Sequence, residues 1–151
     1  MSISGSVISI IAISVGIAIL LFIARIFLKK GADKDPFADM EGADFESYCA
    51  GLLEADGFDH IDLTPKSRDY GIDILAMKDG ISYAIQCKCY SEPVGIKAVQ
   101  EAYAGRAYYG CMLAVVMTNQ SFTKNAFDFA ERLQVVLWDG KSLEKMIKGT
   151  R

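Results

Sequence analysis

Residues 71–90, "GIDILAMKDGISYAIQCKCY", decide the fold. Two apolar runs flank Asp79-Gly80, and Asp-Gly between such runs is among the strongest short-range signals for a two-residue hairpin. With Asp79 and Gly80 as the central turn residues, Lys78 faces Ile81 and Asp73 faces Gln86. Directly opposed residues have Cβ atoms about 4.5–5.5 Å apart on one face. Lys88, two residues beyond Gln86, points to that same face. The register therefore gathers Asp73, Gln86 and Lys88 at one end of a face that carries Leu75, Met77 and Ala84 nearer the turn. The opposite face, with Ile72, Ile74, Ala76, Tyr83, Ile85, Cys87 and Cys89, is read as core.

An acid opposite an amide, with an amine one step along, suits phosphodiester hydrolysis. Asp73 can hold a hard divalent cation through its carboxylate, and Gln86 can add a neutral carbonyl oxygen. Such an ion polarises phosphate and lowers the pKa of a bound water. Lys88 can orient that water or stabilise the charge developing at phosphorus. The residues by themselves equally admit a solvated patch with a surface Asp–Lys pair.

Outward from the hairpin, "DFESYCAGLLEADG" (44–57) predicts a helix with Asp44 as N-cap, Gly57 as stop and Glu46 beside the apolar stripe. A short strand is expected over 58–64, then a loop, "PKSRDYG" (65–71). After the hairpin, "VGIKAVQEAYAGRAYYG" (94–110) reads as a helix with Ile96, Val99 and Tyr103 on one face. "MLAVVMT" (112–118) reads as a strand buried on both faces. "FTKNAFDFAERL" (122–133) is a helix turning Phe122, Ala126, Phe129 and Ala130 inward, with Ser121 as a candidate cap. A buried strand, "VVLW" (135–138), and a small helix, "GKSLEKMIKG" (140–149), complete the order α-β-β-β-α-β-α-β-α. The later helix–strand alternation requires crossovers and parallel pairing, so the fold class is α/β with a mixed sheet covered on both faces.

The N-terminal fifth differs in composition. Met1 to Ala24 contains no charged residue, and Val7–Leu28 is long enough for one transmembrane helix. Arg25, Lys29 and Lys30 follow the span, so the positive-inside bias places the C-terminal domain in the cytoplasm, on an inner-membrane single-pass anchor. A cleaved signal is the competing reading, but "MSISGS" lacks the basic start such a signal carries. The expected organisation is an anchor over 1–30, a juxtamembrane linker over 31–41 and a single domain over 42–151.

From Gly31 onward there are nineteen acidic and thirteen basic residues, a net charge of −6. That argues against nucleic-acid binding by bulk electrostatics and requires cations or a local basic edge instead. The four cysteines lack paired Cys-x-x-Cys spacing, and the chain has one histidine, His60. Free thiols are expected, not a zinc site.

Together "GADFESYCAGLLEADGFD", "SRDYGIDILA", "YAIQCKCYSEPVG" and "VVMTNQSFTKNAFDFA" resemble the Mrr-like restriction endonucleases, a branch of the PD-(D/E)xK nuclease superfamily, over residues 41 to 143. The resemblance implies a restriction-endonuclease-like α-β-β-β-α-β core and Mg²⁺-dependent cleavage of DNA, often foreign or modified, with Mn²⁺ as the alternative ion. It implies Asp73 as the metal-binding acid, Gln86 where many relatives have Asp or Glu, and Lys88 as the catalytic lysine. Glu46 matches the upstream acid that supports the metal, and Asp69 is a weaker addition. The expected partners are DNA and the membrane, and a homodimer is compatible with the pattern. Gln86 removes one negative charge from the metal site, so the alternative expectation is a weak or inactive nuclease-fold module binding DNA or a protein at the membrane. Lys66, Arg68 and Lys97 are read as solvated, and Thr118 and Asn119 as lining the cleft or forming a turn.

Overall fold

A computed structural model of the chain describes residues 17, 19, 20, 37, 40–65 and 70–149. The chain divides into two compact units, Met1–Pro36 and Phe37–Arg151, and the architecture below is that of the second. In the first, Ile17, Ile19 and Leu20 are helical; the rest of the expected span Val7–Leu28 lies outside the described residues. Among the described residues no helix is long and apolar enough to cross a membrane.

The elements are α1 (Gly42–Ala55), β1 (Asp59–Leu63), β2 (Ile74–Lys78), β3 (Ile81–Lys88), α2 (Ile96–Tyr109), β4 (Leu113–Thr118), α3 (Lys124–Leu133), β5 (Val135–Trp138) and α4 (Gly140–Gly149). Their order is the one expected from the sequence. The strands form one sheet, β1-β2-β3-β4-β5, with β1, β2 and β3 antiparallel and β3, β4 and β5 parallel.

The hairpin has the expected register: Lys78 pairs with Ile81 and Ile74 with Ile85. Asp79 and Gly80 both take positive φ, 54° and 76°, as a type I′ turn requires. β2 begins at Ile74, so Asp73 stands just before it. The Asp73 amide donates to Ile85 O at 2.9 Å, the residue already paired with Ile74, so the register shifts by one at Asp73 and the expected direct pairing of Asp73 with Gln86 is not part of the ladder.

Each face of the sheet carries its own apolar cluster. One joins Ile74, Ala76, Ile85, Cys87, Val115 and Met117 to Phe45, Cys49, Leu52 and Leu53 of α1 and Leu143 of α4. The other joins Ala114, Val116 and Val135 to Ala98, Val99 and Ala102 of α2 and Ala126 and Ala130 of α3. The face of β3 bearing Gln86 is therefore covered by protein and is not a solvated face.

Five local expectations change. The N-cap of α1 is Glu41, and Asp44 sits in the first turn. Thr123, not Ser121, caps α3, its hydroxyl accepting from the Ala126 amide at 3.2 Å. The inward face of α2 is Ala98, Val99, Ala102 and Gly105, while Tyr103 is 39% exposed. Small residues let this helix lie close to the chain before β2: a Cβ on Gly105 would collide with Ile72 and the Tyr70 carbonyl. Ile72 thus packs against α2, because the strand alternation does not extend upstream of Asp73 through the turn at Gly71, where φ is +76°. Phe37, in the polar segment read as linker, is buried edge-on to Phe45 and Tyr48.

Candidate active site

The end of β3 and the approach to β2 open into a cleft of about 860 Å³ between α1 and α2. Asp73, Gln86, Lys88 and Glu46 all line it. Three come from the hairpin and its entry; Glu46 comes from the first half of α1.

Asp73 and Gln86 are 8% and 3% exposed, so both polar side chains need partners. Gln86 Nε2 donates to Asp73 Oδ2 at 2.5 Å, and the Cys87 amide donates to the same oxygen at 2.6 Å. A buried carboxylate fixed by two donors is a rigid feature. Its backbone is fixed too: the Thr64 amide donates to Asp73 O at 2.9 Å, and the Thr64 hydroxyl donates to Ile72 O.

Lys88 is one-fifth exposed, and its ammonium lies 3.2 Å from Glu101 Oε2 on α2. Glu101 also meets Lys97, at 3.7 Å. Glu101 escaped the sequence reading because its distance from Lys88 depends on how α2 seats against the sheet. Gly71 sets that seating in part, since a Cβ there would stand 2.9 Å from Glu101 Cβ. The i,i+4 spacing of Lys97 and Glu101 was the one local signal.

β4 holds the end of β3 in place. The Thr118 hydroxyl donates to Lys88 O at 2.7 Å. Asn119 accepts from the Tyr90 amide and donates to the Tyr90 carbonyl, both at 2.9 Å. Neither side chain is among the cleft-lining residues, so both act by fixing the strand that carries Lys88. Lys97 lines the cleft and its side chain is 88% exposed. Lys66, Arg68 and Asp69 lie outside the described residues.

Cys87 and Cys49 are buried free thiols, Cys111 is half-buried, and the half-buried Cys89 thiol donates to the Phe37 and Met40 carbonyls at 3.7 Å. A hydrogen bond with Cys49, then burial, raises the Cys87 thiol well above its usual range, with the charges of Asp73 and Glu46 adding to the effect.

Among the described residues no group of three or more His, Cys, Asp or Glu side chains could hold a metal ion. The donors at the cleft floor are instead mixed. Gln86 Oε1 is a buried amide oxygen with no hydrogen-bond partner among the described residues, and it belongs to the side chain bonded to the Asp73 carboxylate. Carboxylate and amide oxygens are the donors hard divalent cations select. These residues therefore fit such an ion, with Glu46 in the same cleft as a further carboxylate.

A mixed five-stranded sheet with an acid, an amide and a lysine at the end of its central hairpin defines a restriction-endonuclease-type catalytic fold. The family model Mrr_cat, described as restriction endonuclease, matches residues 37–147, and the chain belongs to that family. Three solved structures share the fold. AF1548, a protein of unknown function, is 25% identical with a TM-score of 0.57 over 69% of this chain and 65% of its own. The DNA modification-dependent restriction endonuclease AspBHI is 21% identical, with a TM-score of 0.55 over 70% of this chain and 30% of its own. The restriction endonuclease MspJI, in complex with a 27-mer oligonucleotide, is 22% identical, with a TM-score of 0.56 over 69% of this chain and 27% of its own. The chain thus spans under two thirds of each of these proteins. No curated protein matches it.

Proposed function

We propose that this chain is a divalent-metal-dependent DNA endonuclease, held at the inner membrane by Val7–Leu28 with its nuclease domain in the cytoplasm. The observation that carries the reading is the cleft floor: a doubly hydrogen-bonded Asp73 carboxylate beside Gln86, with the Lys88 ammonium in the same cleft. Membership of the restriction endonuclease family supports the reaction class. The oligonucleotide bound to MspJI supports DNA as the partner, and the description of AspBHI as DNA modification-dependent supports modified DNA as a target class.

Asp73 and Gln86 would hold Mg²⁺, with Glu46 as a supporting carboxylate. Such an ion, when bound, polarises the phosphate and supplies a water of lowered pKa. Lys88 stabilises the negative charge that develops on the phosphoryl oxygens, a role worth about 10²–10³-fold in rate for a single positioned donor. Glu101 holds the Lys88 ammonium at the cleft wall, and the Cys87 amide and Gln86 hold the Asp73 carboxylate in one orientation.

Full-length protein in detergent, incubated with supercoiled plasmid and Mg²⁺, is expected to nick it. Chelation by EDTA and the Lys88→Ala change should each abolish nicking. DNA binding without turnover in any divalent ion would replace this reading with the inactive-module alternative, which the missing carboxylate at Gln86 motivates.

A further inference from the structure

The open edge of the sheet carries a second groove. It encloses about 380 Å³ between the C-terminal half of α1, at Ala50, Gly51 and Glu54, and the chain from Phe58 to Leu63. β1 pairs with β2, and among the described residues no strand lies beyond it. The Thr64 amide donates to Asp73 O, toward β2. Peptide groups alternate in direction along an antiparallel strand, so the N–H and C=O of Leu63 point to the open side. Leu63 itself is 50% exposed.

Proteins blunt such edges with bulges and charged side chains, lysine above all. β1 has a bulge between Asp59 and Asp62, with His60 at φ 48°, but pairing with β2 resumes at Asp62 and Leu63. Two features go beyond protection. Gly51 stands inside a helix, where glycine is less stable than alanine. A Cβ there would meet nothing within 4 Å, so no described neighbour requires glycine, and its missing side chain keeps the groove open beside β1. The lining charge is also of one sign. Glu54, Asp59 and Asp62 are exposed carboxylates, and no lysine or arginine lines the groove. Among the described residues none of the three has an ion-pair partner.

These features select the occupant. A strand edge accepts an extended peptide as an added strand. Three carboxylates disfavour nucleic acid and anionic lipid and favour lysine or arginine. A second copy docked edge to edge would set the same acids against one another, because a two-fold interface is self-complementary.

We infer that the groove between α1 and β1 docks an extended, basic segment of a partner protein, its backbone pairing with β1 at Leu63 and its basic side chains meeting Glu54, Asp59 and Asp62. This site is separate from the catalytic cleft and does not rest on the nuclease reading.

The test uses full-length protein in detergent and pools of fluorescein-labelled octapeptides that alternate lysine with valine or threonine, followed by anisotropy against a detergent blank. The lysine pool should bind, and a pool with glutamate in place of lysine should not. Methylating alternate backbone nitrogens of the lysine pool keeps its charge, removes strand pairing and should abolish binding. Asp59→Asn and Asp62→Asn should each weaken lysine-pool binding by about 1.5- to 5-fold, as for an exposed ion pair. Gly51→Leu should fill the groove and weaken binding about 10-fold or more, while urea melts show it at least as stable as wild type. If Gly51→Leu melts earlier than wild type, the two aspartate variants decide the matter. A lysine pool that fails to bind, that binds equally well when N-methylated, or that binds folded Gly51→Leu like wild type would overturn the inference. Dimerisation in sedimentation that Gly51→Leu abolishes, without peptide binding, would overturn it in favour of a second copy.

Discussion

At residue scale, the Asp73–Gln86 contact governs both fold and chemistry. Gln86→Glu exchanges the N–H donor to a buried carboxylate for a second negative charge. Losing a hydrogen bond to a buried charged group costs about 1–3 kcal/mol, so metal-free protein should melt earlier in urea. The same change adds a hard anionic donor, so Mg²⁺ should bind more tightly in calorimetry and restore stability. A variant with unchanged metal-free stability would mean that the contact is not maintained in solution. Cys87 offers a second check. Only the thiolate reacts with alkylating reagents, and a raised pKa leaves less of it at any given pH. Iodoacetamide at pH 8 should reach the buried Cys87 and Cys49 only after unfolding, and should modify the half-buried Cys111, whose thiol burial also raises, slowly in native protein, as read by mass spectrometry. Asp73, Gln86 and Lys88 could be grouped from sequence because two positive-φ turn residues fix a hairpin register and a period of two does the rest. Glu101 could not, because its approach to Lys88 is a tertiary distance.

At element scale, α2 is the part whose position the site depends on most. It bears Lys97 and Glu101 and seats against the chain before β2 through Gly105 and Gly71. Gly105→Ala forces a methyl into Ile72 and should destabilise by about 1–3 kcal/mol. Gly71→Ala adds left-handed backbone strain to a contact under 3 Å and should cost about as much. Urea midpoints measure both. Thr118→Val removes the hydroxyl that donates to Lys88 O at the end of β3. It should cost about 1 kcal/mol and slow cleavage without weakening DNA binding. The order of elements and the presence of some parallel pairing were legible because the later strands are apolar runs separated by helical segments; which strands neighbour which in the sheet was not. The inward face of α2 was not, since alanine and glycine give almost no hydrophobic periodicity. Nor was the burial of Phe37, a single aromatic inside a charged segment whose docking site is made by α1.

At the scale of the whole molecule, an acidic domain is paired with a cluster of basic residues, Arg25, Lys29 and Lys30, that follows an uncharged stretch. If the stretch anchors the chain, the full-length protein should stay in the membrane fraction through a carbonate wash. A C-terminal reporter should then be active in the cytoplasm; periplasmic activity would reverse the topology. The acidic balance also bears on the chemistry, since the cleft must recruit a cation before it can approach a phosphate. Catalysis should therefore titrate with Mg²⁺ and fall away when the Asp73 charge is removed, while the fold, held by apolar clusters on both faces of the sheet, survives. The most direct measurement is the initial rate of plasmid nicking by purified full-length wild type and Asp73→Asn, across a Mg²⁺ titration. The account predicts Mg²⁺-dependent nicking by wild type and at least a 10²-fold lower rate for Asp73→Asn, with both proteins folded. Equal rates for the two would contradict it.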